Sequence, residues 1–125
     1  MTYLQKSGNK YHAHSTEYAG NVYHSKLEAG YAQELDLRIK AKDIKRWERQ
    51  VKLDLKVNGI HIANYYIDFI ITHNDDSQEY VEVKGMETDL WRMKWKILEA
   101  TFDDFKKHPD DSLTVIKQSS WRKRF

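Results

Sequence analysis

In the stretch NYYIDFIITHNDDSQEYVEVKG, residues 64–85, two apolar runs carry charge: Asp68 lies in the first, Glu82 and Lys84 in the second. If both runs are strands, residues two apart point to the same face, so Glu82 and Lys84 share one face and Val81 and Val83 the other. The short turn between the runs makes Asp68 a cross-strand neighbour of Glu82. Two carboxylates at close range repel each other. A hard divalent cation with oxygen ligands removes the repulsion and leaves positions for water and a phosphate oxygen. A lysine beside it orients or deprotonates the attacking water and offsets charge in the transition state. The backbone carbonyl of Val83, between the two side chains, is a further candidate ligand. The set suits phosphodiester hydrolysis.

Each residue also has a purely architectural reading. Glu82 and Lys84 can be a solvent-facing pair on an antiparallel sheet. Asp68 can be the buried partner of a Lys84 salt bridge, although an uncompensated carboxylate within YYIDFII costs several kcal/mol, on the order of the penalty for any unpaired buried charge.

The elements that must hold these groups follow from periodicity. STEYAGNVYHS places Ala19-Gly20-Asn21 between two short β-prone runs, which suits a tight hairpin. Leu27, Tyr31, Leu35 and Ile39 recur at four-residue spacing, predicting a helix from Ser25 to about Lys42. Its start, SKLE, is a capping-box signature in which Ser25 caps and Glu28 stands at the third helical position. VKLDLKV alternates Val51, Leu53, Leu55 and Val57 against charged residues, a strand with one wet face. Asn58-Gly59 favours a type I′ turn, and the returning run through NYYIDFIIT suggests a strand covered on both faces. HNDDSQ reads as a turn and EYVEVKG as the third strand of a meander. A second helix starts near Thr88 or Asp89, with Trp91, Trp95, Leu98, Phe102 and Phe105 as its apolar stripe, and ends before His108-Pro109. SLTVIKQ supplies a last strand. The fold class is α/β: a mixed central sheet, made of a three-stranded antiparallel meander plus one further strand, flanked by helices.

The 125 residues are the length of one domain with one core, and no linker or repeat divides residues 1–125. Residues 1–15 look like a flexible arm and residues 119–125 like a basic tail. With 40% hydrophobic and 32% charged residues the chain is neither disordered nor membrane-embedded. No run approaches the ~18 apolar residues of a membrane span, and the start lacks a signal-peptide core, so a cytoplasmic location is the expectation. There is no cysteine, which leaves oxygen and histidine as metal ligands. A net charge of +2 does not by itself argue for nucleic acid. The distribution says more, with cations gathered at 38–56, 92–96 and the tail.

The pattern Asp68, thirteen residues, then Glu82-Val83-Lys84 resembles the PD-(D/E)xK, or restriction-endonuclease-like, nucleases. The wider run TEYAGNVYHSKLEAGYAQEL, YYIDFII, EYVEVKG and WRMKWK is similar to a family of small phage-encoded nucleases catalogued as a domain of unknown function. The order Glu, Asp, Glu-x-Lys also resembles the phage Holliday junction-resolving endonucleases. The likeness spans about residues 10–105, with Ile67 where proline often precedes the aspartate. It implies a restriction-endonuclease-like core and metal-dependent DNA cleavage leaving a 5′-phosphate. Glu28, Asp68, Glu82 and Lys84 would be the catalytic set, and Glu28, Asp68, Glu82 and the Val83 carbonyl would hold magnesium, for which manganese substitutes. The bland alternative for Glu28 is the cap itself, worth about 1 kcal/mol. The implied substrate is branched DNA, cut by a homodimer in the cytoplasm of a bacterial host. A sequence-specific, single-strand or flap nuclease of the same fold stays open, as does an inactive DNA-binding accessory protein.

Further basic residues are candidates for DNA contact. Lys94 and Lys96 on the second helix either meet phosphate or form a solvated face, with Lys94 the one favoured for phosphate. Arg122, Lys123 and Arg124 beside Trp121 suit a nucleic-acid backbone or an ordinary terminus. His12 and His14 lack a third ligand for a metal. Trp91 and Trp95 at helical spacing read as core.

Overall fold

The computed structural model describes residues 16–23 and 25–117. The arm with His12 and His14, and the tail with Trp121, Arg122, Lys123 and Arg124, lie outside the described residues. β1 (Thr16–Tyr18) and β2 (Asn21–Tyr23) form an antiparallel hairpin with Tyr18 opposite Asn21. Ala19 and Gly20 take φ of 52° and 82°, as a two-residue turn requires. Asn21 is therefore the first residue of the return strand, not part of the turn.

α1 (Lys26–Lys40) begins as its sequence signature predicts, with Ser25 Oγ accepting from the Glu28 N–H at 3.1 Å. It ends at Lys40, not near Lys42, because Lys42 turns left-handed with φ 64°. Asp43 N–H then donates to Arg38 O at 2.9 Å and Lys42 N–H to Ile39 O at 3.0 Å, a Schellman closure that satisfies the last carbonyls.

The main sheet runs in the order β3 (Ile44–Val57), β4 (Ile60–His73), β5 (Gln78–Lys84), β6 (Ser112–Lys117). The first three strands are an antiparallel meander, and β6 lies parallel to β5. A parallel pair needs a crossover, and α2 (Asp89–Phe105), capped by Thr88 Oγ1 on the Trp91 N–H, supplies it. The α/β architecture expected from periodicity is the one found. Among the described residues no helix is long and apolar enough to cross a membrane.

Two strands differ from their sequence patterns. β3 starts at Ile44, well before the alternating run at Val51. A register shift between Ile44 and Arg46 breaks the period of two there, so the first half does not look like a strand. β4 is covered on both faces only after Asp68. Before it, β3 and β4 continue as a two-stranded arm, closed by Asn58 and Gly59 at φ 52° and 79° as a type I′ turn predicts. One face of that arm packs on α2, Tyr66 on the other face is 55% exposed, and at the tip, past the register shift at Leu55/Lys56, Ile60 and Ile62 are 65% and 49% exposed.

The sheet has a core on each side. On the α1 side Tyr31, Ala32 and Leu35 pack with Ile44, Phe69, Ile71, Val81, Val83 and Ile116. On the α2 side Trp95, Leu98 and Phe102 pack with Leu53, Leu55, Tyr65, Ile67, Ile70 and Tyr80. Along β4 the residues that meet α2 change parity at Asp68: Tyr65 and Ile67 precede it, Ile70 follows it. That residue is the junction between sheet and arm.

Candidate functional site

Strands β4 and β5 pair from Thr72 and Gln78 to Phe69 and Val81, and there the ladder stops. β5 continues through Glu82, Val83 and Lys84 in register with β6 alone. The Asp68 carboxylate fills the resulting wedge, its Oδ2 accepting from the Val83 N–H at 2.9 Å. A side chain thus takes the place of a ladder carbonyl. Val83 meets the site through its N–H, and its carbonyl, which projects from the same edge of an extended strand, stays a candidate ligand.

Gln50, on β3, stands opposite Asp68, since Arg49 pairs with Phe69 and Val51 with Ile67. Its Nε2 donates to Asp68 Oδ1 at 3.0 Å and to Glu28 Oε2 at 3.1 Å. Glu28 is buried on the first turn of α1. Ser25 makes its half of the capping box, and the Glu28 carboxylate is turned to Gln50. The structure therefore gives Glu28 more than a capping role.

On the opposite side of Asp68, Glu82 is buried on the face of β5 that looks toward α2. Lys84 Nζ lies 3.5 Å from Glu82 Oε2 and 5.0 Å above the Trp91 ring. The salt bridge weighed for Asp68 is made by Glu82 instead. Tyr65, whose hydroxyl accepts from Trp91 Nε1 at 2.7 Å, lies beside Glu82. The second carboxylate oxygen of Glu82, Oε1, is buried with no hydrogen-bond partner, against the general rule that buried polar atoms are satisfied.

Burial pushes the Asp68 carboxyl well above the ordinary carboxylate range, and the charges of Glu82 and Glu28 push it further. The Val83 N–H and Lys84 oppose the shift without cancelling it. Glu82 is raised as well, burial first, against Lys84 and Tyr65. Burial, then the charge of Glu82, raises the Tyr65 phenol, which keeps it a donor. The cluster holds more negative charge than its neighbours neutralise, and such a site favours a proton or a cation. Its donors are oxygens only, the set that hard divalent cations take.

The sequence profile of one family matches residues 8–117. The chain belongs to that family, described as "Protein of unknown function (DUF1064)". No curated protein and no solved structure matches the chain. Every residue of the cluster just described, from Glu28 to Lys84, falls inside the family's matched span.

Three of these residues, Asp68, Glu82 and Lys84, meet as their spacing suggests, and Glu28 joins them through Gln50. Nothing in RQV marks Gln50, because its role depends on a strand pairing and a backbone conformation that local sequence does not encode. Tyr65, three residues before Asp68 in the same strand, is a second participant, one that the sheet's period of two would place on the opposite face from Asp68. Among the described residues, the group whose three ligand atoms all lie within 4.8 Å of one another is a different one, Asp75, His108 and Asp110. Its members already serve turns: Asp75 Oδ1 accepts from Ser77 N–H and hydroxyl, and His108 Nδ1 accepts from the Asp110 N–H. Glu28, Asp68 and Glu82 are spread wider, with Gln50 between the first two.

The two helix lysines differ, and Lys94, the one favoured for phosphate, is the half-buried one. Lys94 Nζ donates to Asn64 O at 3.4 Å, tying α2 to the hairpin arm. Lys96 is exposed beside Trp91, Arg92 and Lys117 along a shallow groove. Trp95 is core, whereas Trp91 is half-buried and stacks on it at 5.8 Å.

Proposed function

We propose that the protein is a divalent-cation-dependent endodeoxyribonuclease of the restriction-endonuclease-like, PD-(D/E)xK type, acting on branched DNA. The observation that carries this reading is the wedge between β4 and β5, where Asp68, Glu82 and Lys84 meet on rigid strands and Glu28 reaches Asp68 through Gln50. Asp68, Glu82 and Glu28 would hold magnesium or manganese. The unpartnered Glu82 Oε1 is the atom that most needs such a partner. The cation, when bound, neutralises phosphate charge and makes water a better nucleophile.

The chain's own groups supply the rest. Val83 N–H and Gln50 fix both oxygens of Asp68, so its orientation is set before substrate arrives. Lys84, held by Glu82 and the Trp91 ring, presents an ammonium to the phosphate and to the attacking water. Water adds to phosphorus, the bond to the 3′ oxygen breaks, and that oxygen takes a proton, leaving a 5′-phosphate and a 3′-hydroxyl. Lys96 and Arg92 offer charge to the flanking backbone. The choice of branched DNA rests on the order Glu, Asp, Glu-x-Lys. Coordinated cutting of two strands calls for a dimer, and the exposed apolar residues of the arm, Ile60, Ile62 and Tyr66, are surface that a second copy would bury.

Labelled four-way junction, flap, single-strand and duplex DNA, incubated with magnesium or with EDTA, test the reading. Cation-dependent cutting of the junction is expected, lost in Asp68→Asn while binding persists, with light scattering giving twice the mass of one chain. Full activity in Asp68→Asn would remove the site. Binding without cutting under either cation would favour the accessory role.

A further inference from the structure

Gln50 sits where β3 changes faces: Trp47 packs on the α1-side core, Val51 and Leu53 on the α2-side core. Its φ is 51°, in the left-handed region, in the middle of a fourteen-residue strand. Residues other than glycine, asparagine and aspartate avoid that region. The register shifts of β3 lie elsewhere, at Ile44/Arg46 and Leu55/Lys56, so no inserted residue accounts for it. The left-handed residue lets the strand switch faces opposite Asp68 without a change of register, and it also aims the side chain. What the conformation achieves is visible in the side chain, whose single nitrogen reaches a carboxylate on α1 and one on β4.

We propose that Gln50 is a positioning residue, which sets the Glu28 carboxylate against that of Asp68 so that both face one cation. The proposal rests on the nuclease reading above. An amide is the group this task requires. Lysine or arginine would pair with both carboxylates and displace the cation; glutamate would add a third repelling charge. The glutamine amide donates twice and leaves the negative charge of the site intact. Because Val83 N–H already fixes Asp68 Oδ2, the Gln50 contact fixes the other oxygen, and Glu28 is placed relative to a carboxylate that cannot turn.

The test uses Gln50→Gly, which accepts the left-handed backbone without strain, and Gln50→Asn, which also tolerates it but is one methylene short. Manganese affinity by titration calorimetry and single-turnover cleavage of the junction are measured beside melting temperature. Both variants should melt at or above wild type, yet lose about 10–100-fold in manganese affinity or cleavage rate, the usual effect of removing a partner of metal ligands. KM for DNA should stay within about twofold, since the residue does not touch phosphate. In the Glu28→Gln background, Gln50→Gly should add little further loss, because a residue that acts through Glu28 has nothing left to place. Wild-type manganese affinity and cleavage in Gln50→Gly would overturn the inference alone. Fully additive losses in the double variant would overturn it too, by showing that Gln50 acts apart from Glu28. A wild-type protein that neither binds manganese nor cuts any DNA in the panel would instead overturn the nuclease reading, and this inference with it.

Discussion

Asp68 is the residue at which the site's chemistry and its stability oppose each other. Folding raises its pKa, so between the ordinary carboxylate range and the raised value the folded chain holds a proton that the unfolded chain has lost. Stability therefore falls as pH rises through that window and stays lower above it. Glu82 contributes with the same sign. Asp68→Asn removes the larger part of this penalty. In EDTA at pH 8 that variant should melt a few degrees above wild type, and the gap should close as pH falls toward about 4, the unperturbed aspartate value. Saturating magnesium should raise the wild-type melting temperature and leave the variant's unchanged. A variant less stable than wild type at every pH would show that Asp68 is a structural hydrogen-bond acceptor first. Of these residues, Asp68, Glu82 and Lys84 were legible in sequence, because charges inside apolar strands have few bland explanations. Gln50 was not, since an ordinary polar residue in a basic run reveals neither its left-handed backbone nor its two carboxylate partners.

Among the elements, the alternating half of β3, the Asn58-Gly59 turn, both helix starts and the β6 strand follow directly from period and capping. The parts that did not are those set by pairing geometry: the irregular first half of β3, and the exposed apolar residues of the arm, Ile60, Ile62 and Tyr66, which look like core until β5 is seen to end its pairing at Val81. The arm's turn offers a clean check on backbone terms. Gly59 has φ 79° with nothing within 4 Å of an added Cβ, whereas Gly85 has the same open space without a positive φ. Gly59→Ala should cost about 1 kcal/mol through backbone strain alone, and Gly85→Ala should be close to neutral in stability. Denaturant melts of the two variants decide this, and equal midpoints would mean that the turn does not hold its left-handed geometry in solution.

At the scale of the whole molecule, the sheet is clamped between two helices that each deliver part of one site: α1 brings Glu28, α2 brings Trp91 to Lys84, and the wedge between β4 and β5 joins them. The net charge of +2 is small, so under the proposed nuclease reading DNA would be held by local cations such as Lys84, Arg92 and Lys96 and not by the overall field. The family to which the chain belongs covers residues 8–117, which include every residue of this arrangement. The most direct test of the central claim is an anomalous difference map from crystals soaked in manganese. The account predicts a peak in the wedge, coordinated by Asp68 and Glu82 with Glu28 close by. An empty wedge, with manganese bound only at Asp75, His108 and Asp110, would contradict it.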